Sequence, residues 1–270
     1  MKLKLIGMIH LPPLPGSPGY LGLNLSINDY IEYALGEADK LYRAGFDGLI
    51  IENYMDYPYS VKVDNTEVYN ILGKIVESVK KEYSSMLIGL NILRNSGVEA
   101  ADLICRFGGD FIRVNAYLEP VLVPEGFLEP IARLIWDRLL ELECKIKIYA
   151  DVNVKHSKPL IPYVDALYNT CSRGLIDGVI VTGKTTGEPP NPSDVYIAKT
   201  ICKDRDVWVG SGISIENIGL YIGYIDGVVI GTNIKEQRIT SNPIKYEYAK
   251  NFVDRVNILM KRLNRQKLLR

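Results

Sequence analysis

The chain carries no excess of either charge: 32 lysines and arginines balance 32 aspartates and glutamates. No long-range field therefore draws it to nucleic acid or to an anionic membrane, and any polyanion binding has to be local. It also lacks an uninterrupted apolar run near the ~20 residues that a bilayer-spanning helix needs. The first residues, MKLKLIGMIHLPPLPG, begin basic, but Lys4 breaks the apolar run and His10 and prolines follow at once, so no signal-peptide core forms. Cysteine is sparse. Cys105, Cys144, Cys171 and Cys202 include no CxxC pair, and each stands in apolar or helical surroundings. That spacing argues against a zinc site and for buried free thiols in a reducing cytoplasm. The expectation is a cytoplasmic protein with no membrane insertion and no nucleic-acid partner.

What is present is an ordinary globular composition, 47% hydrophobic and 24% charged over 270 residues, long enough for one large core. Short apolar runs alternate with longer helix-periodic ones, the pattern of a parallel sheet with helical crossovers. Strands are expected at Leu5–His10, Leu49–Asn53, Leu87–Leu93, Phe111–Asn115, Ile146–Val152, Val179–Thr182, Val207–Val209 and Val228–Ile230. Eight strands is the number of a (β/α)8 TIM barrel, an α/β fold. Helices are expected near Asn28–Ala44, Thr66–Tyr83, Val98–Phe107, Leu128–Leu142, Leu160–Arg173, Pro192–Lys203 and Ser214–Tyr221. A last helix over 243–263 completes a single domain spanning 1–270. Asp47, Asp110, Asp177 and Asp226 precede the second, fourth, sixth and eighth strands, a recurrence that suits βαβα quarters or simply turns that favour Asp-Gly.

Barrel chemistry gathers at the C-terminal strand ends. The last two strands end in Gly210-Ser211-Gly212 and Gly231-Thr232, which suits backbone N–H binding of a phosphate. Ser214 is placed to cap a short helix there, with Asn217 nearby and Lys235 able to add charge. In KIKIYADVNVKH the alternation turns Asp151 and Asn153 into the barrel, with Lys155 and His156 following. The same alternation points Arg113, Asn115 and Asn91 inward, with Arg94 just beyond. Glu52 and Asn53 end a strand whose two faces are both apolar, so their direction stays open, and His10 ends the first strand. Asp151 is either a catalytic group or the neutralising partner of Arg113. The proline-rich loop from Leu11 to Tyr20 reads as a semi-rigid lid.

Gly178–Thr185 satisfies the formula GxxxxGK[ST], but the intervening residues read as a buried strand and prolines follow, so no phosphate loop is expected. A divalent metal on Glu52, Asp151, His10 or His156 is chemically possible, yet no spacing demands one, and no cofactor is expected.

The blocks GMIHLPPLPGSP from Gly7, Glu52-Asn53 with Asp56 and Pro58, NILRN from Asn91, FIRVN from Phe111, Asp151-Val152 with Lys155-His156, Val181-Thr182-Gly183 with Thr186-Gly187, and Gly210-Ser211-Gly212 with Glu216-Asn217 resemble those of the BtpA/SgcQ family. The resemblance covers nearly the whole chain and implies a TIM barrel. It also brings a name taken from a factor for photosystem I accumulation and a nucleoside-triphosphatase label on some relatives. Lys184-Thr185 departs from the shared block.

The reading that follows is an enzyme of isomerase, lyase or aldolase type acting on a small phosphorylated metabolite. Gly210, Ser211, Gly212, Gly231 and Thr232 hold the phosphate; Asp151 and Glu52 act as acid and base, with Lys155, Lys184 and His156 as further catalytic candidates. His10, Asn53, Asn91, Arg94, Arg113, Asn115, Asn153 and Thr182 orient substrate. The competing expectation is a non-catalytic assembly factor presenting Tyr54, Tyr57 and Tyr59. A homo-oligomer is compatible with either.

Overall fold

The computed structural model describes residues 3–268. Its strands are β1 (Lys4–His10), β2 (Gly48–Glu52), β3 (Leu87–Asn91), β4 (Phe111–Val114), β5 (Val121–Val123), β6 (Gly126–Leu128), β7 (Lys147–Val152), β8 (Lys158–Pro159), β9 (Gly178–Thr182), β10 (Asp206–Gly210) and β11 (Gly227–Ile230). Eight of them close in the order β1-β2-β3-β4-β7-β9-β10-β11, every neighbour parallel, with β11 returning to β1. This is a TIM barrel. The helices are α1 (Ile27–Ala44), α2 (Thr66–Glu82), α3 (Gly97–Phe107), α4 (Ala132–Glu141), α5 (Tyr163–Arg173), α6 (Pro192–Ile201) and α7 (Tyr246–Leu268). The remaining strands, β5, β6 and β8, form a small sheet beyond β4 and β7.

Alternation along each strand separates two cores. Ile112, Val114, Ile148, Ala150 and Val152 pack outward under the helices, whereas Ile6, Met8, Ile50, Phe111, Tyr149, Ile180, Trp208 and Val229 fill the barrel. Tyr149 stacks on Trp208 with ring centroids 3.7 Å apart, and Phe111 meets both rings edge-on. These rings fit because glycine faces them: a Cβ on Gly89 would stand 2.2 Å from Phe111 and one on Gly227 2.6 Å from Trp208. The barrel is thus plugged at mid-height, and only its rim is left for chemistry.

The aspartate repeat has a specific cause. Asp47 Oδ2 accepts from the N–H of Leu5, Asp110 from Ile88, Asp177 from Ile148 and Asp226 from Val207, all at 2.8–2.9 Å. Each carboxylate caps the second residue of the preceding strand at the base of the barrel, once per βαβα quarter.

Three expectations need correction. Ser214–Tyr221 forms no α-helix: its only helical turn is the 3-10 segment Ile218–Leu220, since Ser214 and Asn217 close local turns on each other in place of a helical ladder. The Leu11–Tyr20 loop is no lid. Leu11 and Leu14 are fully buried, and Asp56 accepts from Leu14 N–H while Tyr30 donates to the Pro13 carbonyl. The cysteines are not free thiols either: Cys105 is bonded to Cys144 and Cys171 to Cys202. Cys105 in the last turn of α3 meets Cys144, just past the end of α4, and Cys171 in the last turn of α5 meets Cys202, which ends α6.

Candidate functional site at the barrel mouth

The rim above the aromatic plug is a buried charge network. Arg113, from β4, contacts Asp151 through Nη2 at 3.1 Å and Nε at 3.2 Å, and Asn115 Nδ2 donates to the same carboxylate at 2.5 Å. The expected alternative is therefore decided for Asp151 in one respect: it is the partner of Arg113. Glu52 points inward from β2. Its Oε2 accepts from Asn91 Nδ2 at 2.5 Å and lies 3.8 Å from Arg113 Nη1, while Oε1 is 3.6 Å from His10 Nε2. All six residues are at most 4% exposed.

Electrostatics sorts these groups. Burial opposes the Glu52 carboxylate, but Lys155, His10, Arg113 and the Asn91 amide outweigh it and hold its pKa below the usual range. Burial also opposes charge on Arg113, yet Asp151 and Glu52 raise its pKa. The Lys155 ammonium is lowered, chiefly by burial and against the pull of Glu52. His10 is lowered to about 3, by burial first and by Lys235 next. Its Nδ1 lies 2.9 Å from the Thr240 carbonyl, which only accepts, so Nδ1 carries the proton and Nε2 faces Glu52 bare.

A titration test follows. Below the ordinary imidazole pKa near 6.5 the unfolded chain takes up a proton that folded His10 refuses until about 3, so stability is lost as pH falls through that window. Relative to His10→Gln, the native protein should lose urea midpoint between about pH 7 and 5, while Glu119, whose carboxyl burial pushes up to about 7, adds an opposite slope common to both proteins. His156, whose pKa burial also lowers, adds a loss common to both. Parallel curves for native protein and variant would refute the assignment.

The strand ends after β10 and β11 converge as anticipated in place but not in every part. Ser211 and Gly212 take left-handed conformations, with φ of 64° and 56°, and with Gly231, Thr232, His10, Glu52 and Lys155 they border one cavity of about 30 Å³, near the volume of one water. Gly210 lies below it, in β10. Asn217 braces the turn by donating to the Gly212 carbonyl. Lys235 contributes nothing to this cavity: it is fully buried and pairs with Glu37 of α1 at 3.3 Å.

A second compartment of about 280 Å³ opens over β2 and β3, walled by Tyr54, Tyr57, Tyr59, Arg94 and His156 and sharing Glu52, Lys155 and Thr186 with the first. The loop from Gly183 to Pro190 borders the first through Thr186 and Gly187 and the second through Thr186. A Cβ on Gly212 would meet the Gly187–Pro189 backbone at 2.5 Å, and His156 Nε2 accepts from Thr186 N–H at 3.1 Å. The sequence shows this loop as a glycine- and proline-rich connection at the working face, but its contacts with Gly212 and His156 come only from the fold.

Other expected residues lie off the axis. Asn53 turns back on its own loop, bonded to Leu93 and Asp56. Arg94 donates to the Lys155 carbonyl, and Thr182 Oγ1 accepts from Lys155 N–H, so both position Lys155. Asn153 and the exposed Lys184 border a separate groove of about 600 Å³ between the loops after β7 and β9; Lys184 does not reach the mouth. The GxxxxGK[ST] match falls on β9, and α6 begins only at Pro192. Among the described residues no three His, Cys, Asp or Glu side chains converge on a metal position.

A family model described as the BtpA family matches residues 1–258. An uncharacterised protein of Pyrococcus furiosus is 39% identical, over 96% of this chain and 97% of its own. The photosystem I biogenesis protein BtpA of Synechocystis is 35% identical, over 85% of this chain and 79% of its own. Among solved structures, phosphoribosyl anthranilate isomerase of Thermus thermophilus superposes with a TM-score of 0.59 at 10% identity, covering 95% of this chain and 100% of that one, a likeness of fold alone.

Proposed function

This chain belongs to the BtpA family, and from that premise we propose that it is an enzyme that binds a small phosphorylated metabolite at the barrel mouth and transfers a proton next to a carbonyl, as isomerases and aldol-type lyases do. The observation that carries the reading is the convergence of Ser211, Gly212, Gly231 and Thr232 on a cavity that also holds Glu52 and Lys155. Ser211 Oγ is buried there without a hydrogen-bond partner, which an anion would supply.

In this reading the glycine-rich ends hold the phosphate away from the reacting carbon, so that binding energy positions the substrate. Glu52, with a free Oε1 and the bare His10 Nε2 beside it, takes the proton. The electron pair moves onto the carbonyl oxygen, where the Lys155 ammonium stabilises it. Returning the proton to the former carbonyl carbon, while the hydroxyl proton of the first carbon passes to the original carbonyl oxygen, gives isomerisation. Asp151, held by Arg113 and Asn115, shapes the network and does not act as the base.

The assembly-factor alternative asks for tyrosines on an outer surface, whereas Tyr54 and Tyr59 are half-buried around a compartment; the small-ligand reading suits them better. A ligand at 100 times its Kd should stabilise the fold by about 2.7 kcal/mol. Inorganic phosphate and ribose 5-phosphate should therefore raise the melting temperature, and Ser211→Glu should remove the shift by placing a carboxylate in the anion cavity. An unchanged melting temperature for the native protein with both compounds would overturn the proposal.

A further inference from the structure

The geometry points to a two-ended substrate: we propose that the tyrosine-walled compartment is the subsite for a neutral heterocyclic ring, carried by the same molecule whose phosphate lies at Ser211 and Gly231. This rests on the phosphate reading above and adds to it the chemical class of the far end.

The two compartments touch only where Glu52, Lys155 and Thr186 border both. Tyr54 stands between them. Its ring lies against His10 at 4.6 Å between centroids, tilted by 31°. The partition is therefore one ring and one loop residue, and Thr186 belongs to the Gly183–Pro190 loop. When that loop lifts, as entry into a 30 Å³ cavity requires, the halves become one cleft with Glu52 in its floor. A ligand filling the cleft has its reacting atoms between its two ends.

The far half selects a ring on three grounds. Tyr57 packs edge-on to both Tyr54 and Tyr59, at 6.2 and 6.4 Å, and Leu93 and Pro124 complete an apolar wall, a setting that favours a flat partner. The charged groups that border the space balance, Arg94 and Lys155 against Glu52 and Glu125, so it suits a neutral group. The third ground is a pair of unmet polar atoms. Arg94 Nε and Glu125 Oε2 lie 3.4 Å apart, both buried and neither hydrogen-bonded. A donor and an acceptor side by side, joined only as an ion pair, match the N–H and C=O edge of a lactam ring, whereas a plain aryl group or an alkyl chain would leave both without a hydrogen bond.

Isothermal titration with ribose 5-phosphate and inosine 5′-monophosphate tests this on the native protein. The nucleotide should bind at least about ten-fold tighter, the order of one base stacked on aromatic side chains. Tyr57→Ala, at an exposed position, should lose that advantage while leaving ribose 5-phosphate binding and the melting temperature unchanged, and Tyr57→Phe should keep it. Equal affinities for the two ligands, or an equal loss of both in Tyr57→Ala, would overturn the ring subsite while the phosphate reading stands. Binding of neither would sink the phosphate reading and the ring subsite together.

Discussion

Arg113→Met is expected to destabilise the protein by about 3–5 kcal/mol at neutral pH, the range for removing one partner of a buried ion pair, with a fall in melting temperature on the order of 10 °C. The guanidinium is the shared cation of two carboxylates, Asp151 at 3.1 Å and Glu52 at 3.8 Å, and all three groups are out of solvent. Methionine fills much of the volume but leaves both anions buried beside each other. The pH dependence identifies the cause. In the native protein Glu52 titrates below its ordinary range, so its contribution is present above the unfolded pKa and lost on acidification. In the variant burial still opposes the Glu52 carboxylate while Lys155, His10 and the Asn91 amide are left to hold it down, so its pKa moves up and the loss of stability on acidification shrinks. A shallower acid slope in the variant than in the native protein is the expected result, and Asp151→Asn added to Arg113→Met should recover part of the loss. A variant that melts within about 1 °C of the native protein would show that the network contributes little.

That network was only partly legible beforehand. Alternation on the strand carrying Asp151 fixed which residues turn inward, because its outer face is apolar and its inner face is not. On β2 the run Gly48–Ile51 is apolar on both faces, and the direction of Glu52 emerged only from pairing with β1 and β3. The four aspartates announced strand starts, but that each carboxylate caps a neighbouring strand is a three-dimensional relation no spacing encodes. The proline-rich loop was misread because proline signals stiffness without saying what a loop packs on; Leu11 and Leu14, both apolar within it, were the available clue. Lys235 was placed near the anion site by distance in sequence, and the turn after Thr232 swings it under α1 instead. Loss of the helix after β10 removes a helix dipole from the phosphate argument, which now stands on the strand ends and on unpartnered Ser211.

The cysteines carry the other large effect. No spacing rule pairs Cys105 with Cys144 or Cys171 with Cys202; the pairing follows from adjacent helices ending side by side. Disulfides also occur inside cells of heat-adapted organisms, so the bonds do not by themselves assign a compartment. With 39 and 31 residues between partners, loop closure predicts about 3–4 kcal/mol from each bond, on the order of 10 °C per bond in melting temperature. Cys105→Ser and Cys171→Ser should each show this loss, and because the bonds share no helix the losses should add in the double variant. All four cysteines lie at helix C-terminal ends, the face opposite the mouth, where a barrel's residues serve stability and not chemistry. Reduction should therefore lower the melting point yet leave phosphate and nucleotide affinity at moderate temperature unchanged. The first check is chemical: alkylation of the unfolded, unreduced chain should label no thiol, and four labelled thiols would show that the helices are held by packing alone.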